Sequence, residues 1–219
     1  MELEHAVINF LGDSITEGAG ASDEAHRYTD VFARMYGAKA NNYGVGGSRI
    51  ARQRVNTGEP YERDFCLRMA EMDERADAVV VFGGTNDFGH GDAPIGTFDD
   101  RDPSTFCGAC HFLMSGLIAR YCGKPIVIVT PLHRLCEEDP EGDGTGRKLD
   151  VRAVLADYRT ILMETAGYYG LPVLDLYATS GMQPRHPVAR ARLMPDDLHP
   201  SDEGHAILAR RIGEFLKTL

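Results

Sequence analysis

Five consecutive residues, Ala78-Val79-Val80-Val81-Phe82, constrain this chain more than any other stretch. The run is too short for a helix and has no polar residue at alternate positions. A strand of that kind is buried on both faces, which requires a parallel sheet with helices above and below it. Val7, Ile8, Phe10 and Leu11 in the run from Ala6 to Gly12 suit a second such strand, and Ile126 to Val129 within Pro125–Thr130 a third. Two weaker runs, Ala38–Tyr43 and Leu171–Leu176, bring the strands to five.

Helical patterns separate these strands. Asp23–Tyr36 carries Tyr28, Val31, Phe32, Met35 and Tyr36 at helical spacing, and Gly37 follows where a terminating glycine belongs. Tyr61–Ala76, Thr105–Tyr121 and Asp150–Tyr169 read as helices, the last with Asp150 able to cap it. Ser201 caps a final helix that reaches Leu216. Three long stretches, Phe88–Ser104, Pro131–Lys148 and the one running to Pro200, read as loops. Strands alternating with helices give an α/β fold with a five-stranded parallel sheet. With 219 residues, 43% of them hydrophobic, and no internal repeat or linker, one domain over 1–219 is expected.

The net charge of −10 disfavours nucleic acid and anionic membrane surfaces as partners. Met1-Glu2-Leu3-Glu4-His5 is acidic where a secretory signal would be basic, and no apolar run has the length of a membrane span. Five cysteines, an odd number, read as reduced thiols, so a cytoplasmic protein is expected. Cys107-Gly108-Ala109-Cys110-His111 matches the C-x-x-C-H pattern of covalent haem attachment, but it opens an apolar helical pattern through Phe112, Leu113, Leu117 and Ile118. The helix reading is preferred, and no cofactor or metal site is expected.

The chemistry falls on the loops after the strands. Gly12-Asp13-Ser14 follows the first, Gly44-Val45-Gly46-Gly47-Ser48 the second, and Gly83-Gly84-Thr85-Asn86-Asp87 the third. In a parallel sheet all three open at one edge, where open α/β sheets bind their ligands. A serine nucleophile at Ser14 needs a base, a group that orients the base, and oxyanion donors. Of eight histidines His199 has the best setting, with Asp196 three residues before it and Pro200 holding the turn. Each fragment alone is an ordinary turn or cap. Their order and matching positions make the catalytic reading.

Together these residues resemble the SGNH (GDSL) hydrolases over nearly the whole chain. Gly12-Asp13-Ser14-Ile15-Thr16 matches the first family block, Asn42-Tyr43-Gly44-Val45-Gly46-Gly47 the second, Gly83-Gly84-Thr85-Asn86-Asp87 the third, and Asp196-Asp197-Leu198-His199-Pro200 the last. The resemblance implies a three-layer α/β/α sandwich of flavodoxin-like order. It also implies ester hydrolysis through an acyl-enzyme on Ser14, with His199 as base and Asp196 as acid. The Ser14 and Gly47 amides and the Asn86 side chain would form the oxyanion hole. Asp197 stands where the family usually has a small residue, often glycine, and spacing favours Asp196 over it as the acid.

Asp13 reads as stabilising the turn rather than as the triad acid, and with His133 it is a candidate substrate contact. Asp87 and His205 read as structural. The rival class is nucleotide binding through Gly44-Val45-Gly46-Gly47 with Asp64 twenty residues on, though Arg49 occupies the place of the third fingerprint glycine. A non-catalytic carbohydrate-binding relative, a lysophospholipase and a thioesterase are further alternatives. The polar loops favour a small polar ester, with an acetylated sugar derivative as the leading expectation; the expected partner is a small-molecule ester substrate, and the sequence does not give the oligomeric state.

Overall fold

The structure, a computed structural model, describes residues 1–146, 148 and 152–219. β1 (Val7–Gly12) runs into the short α1 (Ser14–Glu17), followed by α2 (Tyr28–Tyr36), β2 (Lys39–Gly44) and α3 (Phe65–Arg68). Then come β3 (Ala78–Phe82), α4 (Thr85–His90), α5 (Phe106–Arg120) and β4 (Ile126–Val129). The chain closes with α6 (Leu155–Tyr168), β5 (Val173–Leu174), α7 (Leu176–Thr179), α8 (Pro187–Leu193) and α9 (Asp202–Leu216).

All strand pairings are parallel and the order is β2-β1-β3-β4-β5, the flavodoxin-like arrangement. Alternate residues divide the core. Ile8, Phe10, Val80, Val127 and Val129 pack beneath α2 and α9. Leu11, Val79, Val81, Ile126 and Ile128 pack against α3, α5 and α6. This is the expected three-layer sandwich. The register puts Gly44, Gly12, Phe82, Val129 and Leu174 in one row, so the loops after all five strands leave the sheet along one edge.

The expected helix over 61–76 is broken. It is a 3-10 turn at Pro60–Glu62, then α3, then a second 3-10 turn at Met69–Glu71. Asp64 restarts the chain by accepting the Leu67 amide at 2.8 Å. Arg68 turns its guanidinium inward to the ends of β1 and β2, a demand from tertiary structure that helical spacing does not record. The sixth helix starts at Leu155, capped through the Asp157 carboxylate on the Val154 amide at 2.8 Å. The anticipated cap, Asp150, lies outside the described residues. β5 is shorter than expected because Asp175 caps α7 immediately after it.

Cys107, Cys110 and His111 are buried in α5, as the helix reading has it. The five cysteines are free thiols. Among the described residues no helix is long and apolar enough to cross a membrane.

Candidate active site

β1 ends at Gly12, and Asp13 caps α1 through a 3.0 Å hydrogen bond from the Ile15 amide to its carboxylate. Ser14 is therefore the first helical residue, with its amide among those a helix leaves unpaired. α1 packs directly on β2: a Cβ on Gly44 would overlap the Glu17 backbone. That close approach presses the glycine loop against the serine, and a Cβ on Gly46 would stand 3.7 Å from the Ser14 Cβ.

His199 arrives from the far end of the chain. His199 Nε2 lies 3.0 Å from Ser14 Oγ, and Nδ1 lies 2.7 Å from Asp196 Oδ2. Asp196 Oδ1 accepts the Leu198 and His199 amides at 3.1 and 2.6 Å. Partial burial pushes the Asp196 carboxyl up, but the hydrogen bonds from the His199 ring and these amides outweigh it, so it sits below the ordinary carboxylate range. An ionised Asp196 makes Nδ1 the donor, which leaves the Nε2 lone pair facing the serine hydroxyl. That is the tautomer a general base requires.

Asp197 does something different. It adopts φ +74°, and its carboxylate pairs with Arg190 at 2.7 Å. The left-handed backbone explains why a glycine could stand at this position. The geometry gives the orienting role to Asp196.

Two amides point to anion binding. Among the described residues, the amides of Ser14 and Gly47 donate to no protein acceptor. Asn86 stands in the first turn of α4, behind Gly84 at φ +104°, and its Nδ2 donates to Ser48 O at 3.1 Å with its second hydrogen free for another acceptor. Its neighbour Asp87 accepts the Ile50 and Ala51 amides, both at 2.9 Å. The loop after β3 thus holds the loop after β2 in place.

The sequence model of the GDSL-like lipase/acylhydrolase family matches residues 10–207, from the strand before Ser14 to past His199. The chain is a member of this family. Among solved structures, a Lactobacillus plantarum protein is 29% identical and superposes with a TM-score of 0.83, covering 99% of this chain and 98% of that one. A lipase/acylhydrolase from Enterococcus faecalis is 23% identical (97% and 96% covered, TM-score 0.65). A carbohydrate acetylesterase family member from Sinorhizobium meliloti is 16% identical (97% and 98% covered, TM-score 0.66); these two share the fold. No curated protein matches the chain.

In this family member Asp13 is 2% exposed, and burial pushes its carboxyl up to about 6 against the hydrogen bond from the Ile15 amide. It is a turn and capping residue by geometry, with almost no surface to offer a substrate. His133 leaves the sheet at the same edge but bonds Glu137 at 2.7 Å and packs on Tyr177, 3.9 Å between ring centroids. Among the described residues no hydrogen bond joins it to Ser14 or His199. His205 is fully buried and tied to the Tyr28 amide and Ala19 carbonyl at 3.2 and 3.1 Å, a structural position.

The glycine run does not open a helix as a dinucleotide site requires. It turns at Val45–Ser48, Arg49 pairs with Glu62 at 2.7 Å, and Asp64 caps α3.

Arg68 is the residue that sequence reasoning missed. Its buried guanidinium donates to Gly12 O, Tyr43 O and Ser48 Oγ at 3.0, 2.6 and 2.7 Å, and burial lowers its pKa to about 10. Its side chain ties the strand before Ser14 to the loop carrying Gly47. An arginine in a helical pattern reads as solvent-facing, so the sequence carried no signal for this.

Proposed function

We propose that this acylhydrolase is a serine esterase acting on short-chain carboxylic esters, acetyl esters of sugar derivatives among them, in a cytoplasmic setting. The observation that carries the reading is the unbroken relay Ser14 Oγ–His199 Nε2 and His199 Nδ1–Asp196 at 3.0 and 2.7 Å.

Ser14 gives its proton to His199 Nε2 as Oγ attacks the ester carbonyl carbon. The negative oxygen that forms is held by the amides of Ser14 and Gly47 and the Asn86 side chain. Asp196 stabilises the imidazolium without taking its proton. His199 then protonates the departing alcohol oxygen, the C–O bond breaks, and the acyl group stays on Ser14. Water, deprotonated by His199, releases the acid and restores the serine.

The test uses p-nitrophenyl acetate and a fluorophosphonate probe. Wild-type protein hydrolyses the ester and is labelled at Ser14, and Ser14→Ala does neither while keeping its melting temperature. Near wild-type turnover in that variant would remove the reading. A series of p-nitrophenyl esters from C2 to C12 decides the acyl range, with kcat/KM expected to fall beyond about C4. A rise toward C12 would point to lipid or thioester substrates.

A further inference from the structure

Beyond Gly47 the loops enclose a cavity of about 580 Å³, walled by Gly47 itself, Arg49, Gln53, Tyr61, His90 and Asp92. That volume falls in the range of small-molecule sites. Gly46 backs onto Ser14 and Gly47 forms the cavity wall, so the cavity adjoins the loop that lies against the serine.

An ester has two sides, and the lining chooses between them. Val55 and Tyr61 are the only apolar side chains among the lining residues. A long acyl chain would find apolar surface only on these two side chains and would strip water from the charged and polar groups around them. The alcohol side is the one that fits.

Charge narrows it further. The lining cation Arg49 is 6% exposed, and it already donates to Gly47 O at 2.9 Å and to Glu62 at 2.7 Å. His90 faces Asp143 at 3.0 Å. Asp92 accepts the amides of Arg54 and Val55 at 2.7 and 2.9 Å. Among the described residues, the lining therefore offers a phosphate or carboxylate no positive charge without an acidic partner.

What it does offer is an array of fixed polar groups beside an aromatic ring. Gln53 is pinned at both ends, to Ala51 O at 2.7 Å and the Asp92 amide at 2.6 Å, which leaves one amide hydrogen oriented. Thr145 Oγ1 is held on Asp143 at 2.6 Å with its lone pairs open. The Tyr61 ring is 38% exposed and backed by the Arg49 guanidinium, 5.4 Å from its centroid. A ring face for C–H groups, with preset donors and acceptors around it, suits a hydroxyl-rich neutral molecule.

We propose that this cavity is the alcohol-side specificity pocket and takes a sugar, with Tyr61 and Gln53 as the residues that select it. The assignment rests on the esterase reading of Ser14.

The test compares kcat/KM for a mono-acetylated methyl xyloside, its phosphorylated counterpart and ethyl acetate, with p-nitrophenyl acetate run alongside. The neutral sugar ester exceeds ethyl acetate by about tenfold or more, the worth of one or two well-placed hydrogen bonds, and the advantage appears in KM. The phosphorylated ester loses that advantage. Tyr61→Ala and Gln53→Ala each cut the ratio of sugar ester to ethyl acetate by about fivefold to tenfold. Met35→Ala, on the exposed part of α2, leaves the ratio alone.

Equal rates on sugar and ethyl esters, a preference for the phosphorylated ester, or an unchanged ratio in both pocket variants would overturn the assignment. If p-nitrophenyl acetate is still hydrolysed and Ser14 still labelled, the failure is the pocket's alone. If neither occurs, the esterase reading falls and the pocket with it.

Discussion

Two histidine–aspartate pairs lie at the same edge of the sheet, and they are built from the same parts. His199 faces Asp196 through Nδ1 at 2.7 Å, and His90 faces Asp143 through Nδ1 at 3.0 Å. In both, burial pushes the carboxyl up and hydrogen bonds, including those from the histidine, pull it below the ordinary range. The imidazoles are comparably covered, 21% and 23% exposed. What differs is the atom at Nε2. For His199 it is the Ser14 hydroxyl at 3.0 Å, which can give up a proton. For His90 it is the Gly47 carbonyl at 3.4 Å, which cannot. Asp143 is also shared with Arg134 at 3.2 Å, whereas Asp196 serves His199 and its own turn. A carboxylate-bound imidazole is thus a base only where a hydroxyl faces it, and elsewhere it is a grip on the backbone.

The sharpest break in that comparison is removal of the two rings. His199→Ala, like Ser14→Ala, should lower kcat for ester hydrolysis by roughly 10⁴- to 10⁶-fold. His90→Ala loosens Gly47 without touching the proton path, so its loss should stay below about 100-fold, under the cost of deleting an oxyanion donor. Equal losses in the two variants would mean that His90 takes part in proton transfer.

The carboxylates give the next largest contrast. Asp196→Asn presents the wrong partner to Nδ1 and should cost on the order of 10⁴-fold in kcat. Asp197→Asn should stay within a few-fold of wild type, because Asp197 contacts Arg190 and not the ring. A larger loss at Asp197 would reverse the assignment of the acid. One step down, Asn86→Ala should cost about 100- to 1,000-fold in kcat with KM little changed. A melting curve guards against loss of its bond to Ser48 O.

These contrasts also show what was legible in the chain. Ser14, Gly47, Asn86, Asp196 and His199 could be placed because each follows a strand or precedes a capped helix, so local pattern and sheet edge agree. His90 and Asp143 gave no such signal, lying 53 residues apart with Asp143 in a glycine-rich stretch. Arg68 was hidden for a related reason: its hydrogen bonds reach 25 and 56 residues away, and no periodicity encodes them. The break in the helix over 61–76 falls at Arg63 and Asp64 and again at Met72, which are extended, and helical spacing marks none of them.

Asp13 supplies a test through pH. Burial holds its folded-state pKa near 6 against an ordinary 3.8, so the folded protein binds the proton more tightly than the unfolded chain does. Stability from this group is present below about pH 4 and lost as pH rises through 6. The difference corresponds to roughly 3 kcal/mol when fully expressed. Asp13→Asn keeps an oxygen for the Ile15 amide and cannot ionise. It should therefore be more stable than wild type at pH 8 and lose that advantage by pH 4, as read by denaturant unfolding. An advantage independent of pH would show that Asp13 is not the titrating group.

The smallest effect isolates the backbone at Asp197. Both Asp197→Ala and Asp197→Gly remove the half-exposed pair with Arg190, worth about 0–1 kcal/mol. Only alanine then has to hold a side chain at φ +74°, a left-handed conformation that costs roughly 1–2 kcal/mol for a residue with a Cβ and without an Asx side chain. Part of that penalty is offset because glycine loses more chain entropy on folding. The alanine variant should therefore melt about 2–4 °C below the glycine variant, near 1 kcal/mol for a chain of this size. Since the turn carries both Asp196 and His199, the ordering should reappear in kcat. Glycine would keep the ring on Ser14, and alanine would lose a few-fold. If alanine matches glycine in both readouts, the left-handed turn does not set the position of the histidine, and the Asp196 hydrogen bonds alone hold it.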